Sequence, residues 1–180
     1  CMNPDGHEKF VSWYSSVDNK YSPEKYYEYR DARGNYYGFD LNRQFVLASQ
    51  PESKAVLQTI KEWKPQVIVD LHGAGWNMDV RFYFAPHGPV GTAYEDIDDK
   101  TLQWSEILTK DIAKIFDSKG FSYRKETKTS LSNPSSLSVY SYFRGITGIL
   151  FECADPGTGI SRPVQVPPLY GKRWTLHDMI

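Results

Sequence analysis

Val67-Ile68-Val69-Asp70-Leu71-His72-Gly73 opens on three β-branched residues, closes on glycine, and sets an aspartate and a histidine into its second half. A short run of this kind reads as a buried strand whose C-terminal end carries His72. Gly148-Ile149-Leu150-Phe151 is a second such run, and it delivers Glu152. Val80 to Ala85, bounded by Pro86 and Gly88, is a third strand candidate. Helical patterns lie between the strands. Gln50-Pro51-Glu52 has Pro at a first helical position and Glu in the first turn, places Val56, Ile60 and Trp63 on one face, and must end before Pro65. A longer helix from about Lys100 to Lys119 has Trp104, Leu108, Ile112 and Ile115 as its apolar stripe, with Gly120 ending it. Helices alternating with short apolar strands predict an α/β fold, a mixed and mostly parallel sheet with helices on both faces.

Outside these elements the chain is polar or turn-rich. Asn3-Pro4-Asp5-Gly6 reads as a turn. Residues 12 to 37 read mostly as a long Tyr-rich surface loop, with a candidate helix start at Ser22-Pro23-Glu24. The tail from Asp155 is rich in Pro and Gly, and a final helix is expected to begin near Pro168. No internal repeat is present. At 180 residues the chain predicts one domain spanning 1–180.

Composition narrows the partners. A formal net charge of -1 removes the usual electrostatic reason for nucleic acid or an anionic membrane as partner. No stretch approaches the roughly 20 apolar residues that span a bilayer. A small molecule or peptide is the expected ligand. Aromatic residues make up 15% of the chain, which suits either tight packing or a ring-lined cleft. Cys1 and Cys153 give neither a disulfide framework nor a zinc-ligand spacing.

Two sets of residues could carry chemistry. His72 and Glu152 both fall at the C-terminal ends of predicted strands, the edge where open α/β sheets place their sites. Taken singly, such a histidine is more often structural and such a glutamate an ion-pair partner. The second set lies in Gly38-Phe39-Asp40-Leu41-Asn42-Arg43-Gln44-Phe45. Its Asn42-Arg43 couple reads as a buried type suited to gripping a carboxylate, because guanidinium is planar, always charged and able to donate two parallel hydrogen bonds.

In order along the chain, Asn3-Pro4-Asp5-Gly6, Arg33-Gly34-Asn35-Tyr36-Tyr37-Gly38-Phe39-Asp40-Leu41-Asn42-Arg43, Pro51-Glu52, Asp70-Leu71-His72 and Leu150-Phe151-Glu152 resemble the motifs of the M14 (carboxypeptidase A/B-like) zinc carboxypeptidases. The resemblance covers residues 3 to about 155. It implies a zinc-peptidase-like sheet, with His72 a zinc ligand and Glu152 the base that takes a proton from water and passes it to the leaving amine. Asn42 and Arg43 would clamp the terminal carboxylate of a peptide or protein substrate, and Arg33 would stabilise the developing oxyanion. The family is often secreted or periplasmic, though no residue here carries an address.

The chain departs from the family at two points. The other two zinc ligands belong to a His-x-x-Glu motif ahead of Asn-Pro-Asp-Gly, and no His-x-x-Glu occurs. The segment Ser130 to Ser138 contains no capping tyrosine. Since the chain opens on Cys1, the resemblance implies an internal start. The chain would be the C-terminal part of a catalytic domain, its sheet incomplete at the N-terminus, two ligands lying upstream, and the isolated chain inactive. Two other readings remain: a non-catalytic carboxylate-binding pseudo-peptidase, and an N-acyl amino acid deacylase of the aspartoacylase or succinylglutamate desuccinylase type.

Overall fold

Asn3 begins a helix where the sequence pattern predicts only a turn. Its Oδ1 accepts from the Gly6 N–H at 2.9 Å and its carbonyl accepts from the His7 N–H at 3.0 Å. That is an N-cap, and Pro4 occupies the first helical position, where a missing N–H costs nothing. The computed structural model describes residues 1–16, 32–73, 82–85, 96–124, 133–153, 162–163 and 173–174. They fall into two compact units, Cys1–Lys64 and Pro65–Ile180.

The first unit holds α1 (Pro4–Ser16), a 3-10 turn at Leu41–Arg43, and α2 (Pro51–Trp63). Residues 12–16, expected to open a long loop, are therefore helical, and 17–31 lie outside the described residues. The candidate helix start at Ser22-Pro23-Glu24 lies outside the described residues. Helix α2 keeps its predicted bounds: Pro51 starts it, and Lys64 closes it in a left-handed conformation with its N–H on the Ile60 carbonyl. Its expected apolar face is only partly realised, since Val56 and Ile60 are half-buried while Trp63 is 81% exposed.

The second unit is a mixed α/β structure. Its strands are β1 (Val67–Gly73), β2 (Phe82–Ala85), β3 (Tyr123–Arg124) and β4 (Thr147–Cys153), with α3 (Asp99–Lys119) and α4 (Leu137–Tyr142) between them. Strand order is β1-β4-β2-β3. The β1–β4 and β2–β3 ladders are parallel, and β2 runs antiparallel to β4. In the tail, β5 (Arg162–Pro163) and β6 (Arg173–Trp174) form a separate antiparallel pair. Residues 164–172, where the final helix was expected to begin, lie outside the described residues, and β6 stands where that helix would have continued.

Helix α3 ends at Gly120 as expected, and Asp98 caps its start. The Asp98 side chain accepts from the Lys100 N–H, and Gly120 ends the helix at φ 66°, a region that glycine enters without a Cβ penalty. The expected stripe is realised only in part, with Leu108 and Ile112 half-buried. The buried line is Thr101, Ser105, Thr109 and Ala113, whereas Trp104 and Ile115 are exposed. The reason is closeness of approach. The Tyr142 hydroxyl donates to the Gly148 carbonyl at 2.6 Å and shares a second bond with the Ser105 hydroxyl at 2.7 Å. The Thr147 hydroxyl donates to the Thr101 carbonyl at 3.3 Å. Only small residues fit so near, and their hydroxyls satisfy the polar groups that burial would otherwise strand.

Packing against β4 is equally tight on α4, where a Cβ added at Gly148 would run into the Ser138 carbonyl. Phe82, Phe84 and Phe151 from β2 and β4 meet Phe116 of α3, with Phe121 and Tyr123 beside them, in edge-on and tilted ring contacts. Tyr123 donates its hydroxyl to Asp117 at 2.7 Å, which together with burial and the aspartate's charge raises its titration above the ordinary tyrosine value.

Strand β1 is not buried on both faces as expected. Its second face is open: Val67 and Val69 are exposed, and Leu71 is 75% exposed. Among the described strands β1 is an edge, flanked only by β4. An apolar edge of this kind is a hazard for association. Leu71→Lys should reduce concentration-dependent aggregation, followed by light scattering, while changing unfolding free energy by no more than about 0.5 kcal/mol. Gly148→Ala should instead cost about 1 to 3 kcal/mol, read from the denaturant midpoint, because the neighbouring backbone must move.

Candidate functional site

Unit 2 carries His72 and Glu152. In the parallel β1–β4 ladder His72 is the register partner of Glu152, and Asp70 of Leu150. Partners in a parallel ladder project from the same face on strands about 4.8 Å apart, so His72 and Glu152 stand side by side. Side-chain alternation puts Phe151, and with it the aromatic cluster, on the opposite face. The His72 Nε2 and Asp70 Oδ1 lie 2.9 Å apart, with their side chains 17% and 10% exposed. Asp70 is two residues before His72 and therefore shares its face. Glu152 is half-buried, its Oε2 shielded from solvent. Tyr83 occupies the register position on the other side of Glu152.

This donor set suits a zinc ion at one position: an imidazole backed by a carboxylate on one ring nitrogen, with a second carboxylate on the neighbouring strand. Among the described residues no three His, Cys, Asp or Glu side chains gather closely enough to hold a metal. A zinc ion bound here would have His72 as one ligand.

Unit 1 carries the second set of expected residues, organised by two asparagines and an aspartate that motif spacing alone does not single out. Asn35 is 1% exposed, and its Oδ1 accepts from the N–H groups of Tyr37 and Phe39, both at 3.1 Å. Its Nδ2 donates to Gln50 Oε1 at 2.9 Å and reaches the Glu52 carboxylate at 3.3 and 3.4 Å. Gln50 in turn donates to the Ser49 hydroxyl at 3.0 Å, which donates to Gln44 Oε1 at 2.6 Å. The 34–40 loop is thereby tied to the start of α2, which explains why Asn35 and Pro51-Glu52 occur together. Asn3 reaches the same loop, its Nδ2 donating towards the carbonyls of Ala32 at 3.4 Å and Gly34 at 3.3 Å.

Asp40 joins the three residues assigned to the substrate. Its Oδ2 accepts from Arg33 Nε at 3.2 Å, and its Oδ1 accepts from the Asn42 N–H at 2.9 Å, capping the 3-10 turn that carries Asn42 and Arg43. Arg33, Asn42 and Arg43 are therefore held to one local framework. Their exposure differs from expectation. Asn42 is half-buried but Arg43 is exposed, with Nη1 donating to the Asn42 carbonyl at 2.7 Å. The turn directs Arg43 away from the Leu41 and Phe45 side chains that fill this unit's interior, so the guanidinium meets solvent. Water weakens its attraction for a carboxylate relative to a buried site.

A signal for each missed residue exists in the sequence. Asn3 and Asn35 sit in turn-rich contexts where a side-chain amide can bond nearby backbone. Asp40 immediately precedes the turn it caps. Asp70 stands at the strand spacing that shares a face with His72.

No family model, curated protein or solved structure matches the chain. The framework makes its own predictions. Asn35→Ala should destabilise unit 1 by roughly 2 to 4 kcal/mol, since one buried and several part-buried partners lose their bonds at once. Asp40→Ala should cost only about 1 kcal/mol for the lost cap, and the exposed ion pair should add little. Thermal unfolding of the two variants should separate these effects.

Proposed function

We propose that this chain belongs to the catalytic domain of a zinc metallocarboxypeptidase, which hydrolyses the C-terminal peptide bond of peptides or proteins. The register pairing of His72 with Glu152 on one sheet face is the observation that supports this reading. It sets an imidazole beside a carboxylate able to move a proton. In this reading the sheet is mostly parallel, has helices on both faces and gains further strands from chain outside the described residues. The ordered motifs from Asn3 to Glu152 contribute the rest of the support.

His72 would be one ligand of the zinc ion, and the remaining ligands would come from outside the described residues. When bound, zinc supplies Lewis acidity at the scissile carbonyl and lowers the pKa of the attacking water. Glu152 accepts a proton from that water on a carboxylate oxygen and returns it to the amine nitrogen as the peptide bond breaks. Arg33 donates to the carbonyl oxygen as negative charge develops there. Asn42 and Arg43 hold the substrate's terminal carboxylate, with Arg43 donating through its guanidinium. Asp40 keeps Arg33 and the Asn42-Arg43 turn on the same framework.

A carboxylate beside the ligand position favours hydrolysis over mere carboxylate capture, because a binder has no use for a base. The discriminating measurement is hydrolysis of a blocked dipeptide by the full protein with zinc, against the same peptide bearing a C-terminal amide and against an N-acyl amino acid. Cleavage of the free acid alone is the expected result. Preference for the N-acyl amino acid would overturn the proposal in favour of a deacylase, and binding without turnover would overturn it in favour of a pseudo-peptidase.

Two substitutions sharpen the test. Glu152→Gln should lower kcat roughly 10²- to 10⁴-fold with little change in KM. Arg43→Ala should mainly raise KM, by about 10- to 100-fold, which corresponds to the roughly 1.5 to 3 kcal/mol of a hydrogen bond to a charged group.

A further inference from the structure

We propose that Asp70 is the positioning residue for His72, fixing the imidazole as its Nε2–H tautomer so that Nδ1 presents its lone pair to the metal. The inference rests on the reading of His72 as a zinc ligand given above. Asp70 is otherwise without a task in that reaction. The base is Glu152, and the register partner of Asp70 is the apolar Leu150.

The argument starts from the 2.9 Å separation between His72 Nε2 and Asp70 Oδ1. An ionised carboxylate only accepts hydrogen bonds, so the ring nitrogen facing it carries the hydrogen. Neutral imidazole has a single N–H, which leaves the lone pair on the other nitrogen, Nδ1. Both side chains are largely withdrawn from water, at 17% and 10% exposed, so solvent competes little for the bond. The support is also stiff: every residue from Val67 to Gly73 has a register partner on β4, and both members of the pair rise from that one ladder. A ligand on such a strand keeps its direction better than one on a loop. A carboxylate behind the imidazole also raises its basicity towards a metal.

Long-range ¹H–¹⁵N correlation on the metal-free chain, at a pH above the ordinary histidine range, reads the tautomer directly. His72 should show a protonated Nε2 and an unprotonated Nδ1. Asp70→Ala should convert this to a mixture of tautomers, while Asp70→Asn, whose amide oxygen still accepts, should largely retain the Nε2–H form. A protonated Nδ1 in the unaltered chain overturns the proposal without any variant, so a poorly folded Asp70→Ala protein does not rescue it. An unchanged tautomer in a folded Asp70→Ala protein overturns it as well.

Zinc affinity of the full protein, by competition with a chromophoric chelator, provides the second arm. Asp70→Ala should weaken binding about 10- to 100-fold. If the full protein binds no zinc, the proposal of a metal-directing role fails together with the carboxypeptidase reading, even where the tautomer is as expected. If zinc binds and the peptidase is active but Asp70→Ala leaves both tautomer and affinity unchanged, the role of Asp70 fails alone.

Discussion

The register of the β1–β4 ladder is the constraint on which the second unit depends. Val67 pairs with Thr147 and Gly73 with Cys153, with no bulge between. Because side chains alternate with period two, a slip of one residue would send His72 to the opposite face from Glu152 and bring Leu71 in its place. Two features oppose such a slip. Gly148 is held where the Ser138 backbone leaves no room for a side chain, and the Thr147 N–H is bonded to the Gln66 carbonyl at 3.1 Å, just ahead of the ladder. A displaced ladder would push Thr147 or Ile149 into the space that Gly148 fills. The core thereby determines which residues can act together at the other end of the strand.

Strand and helix positions were readable from sequence where one local rule dominated. Pro51 and Pro65 bracket α2, Gly120 ends α3, and the apolar run at 148–151 gives β4. Failures arose where two rules competed. Asn3-Pro4-Asp5-Gly6 satisfies both a turn and a helix N-cap, and the helix wins because Asn3 also reaches the backbone of 32–34. The α3 stripe was misplaced because hydropathy favours Trp104 and Ile115, whereas close helix packing favours the hydroxyls of Ser105 and Thr109. The openness of one face of β1 cannot be read from Val67-Ile68-Val69, since burial depends on what lies beside a strand.

The candidate site divides along the same line. His72 and Glu152 were identifiable from strand ends, but their pairing in register is a property of the sheet. Asn42, Arg43 and Arg33 could be named from motif spacing, while the part played by Asp40 in joining them required coordinates. Arg43 also shows that residue type does not settle environment. Its chemistry is that of a carboxylate clamp, yet it is exposed.

The polar string in the first unit has a thermodynamic consequence. Among the described residues of that unit Asn35, Gln44, Gln50 and Ser53 are all buried, against Leu41 and Phe45 among the large apolar side chains. Unfolding such an interior exposes amides and hydroxyls, whose hydration lowers the heat capacity, whereas the phenylalanine cluster of the second unit raises it on exposure. The stability of the first unit should therefore curve less with temperature. Cooling would weaken the sheet that carries His72 and Glu152 more than the loop framework that carries Arg33 and Asn42.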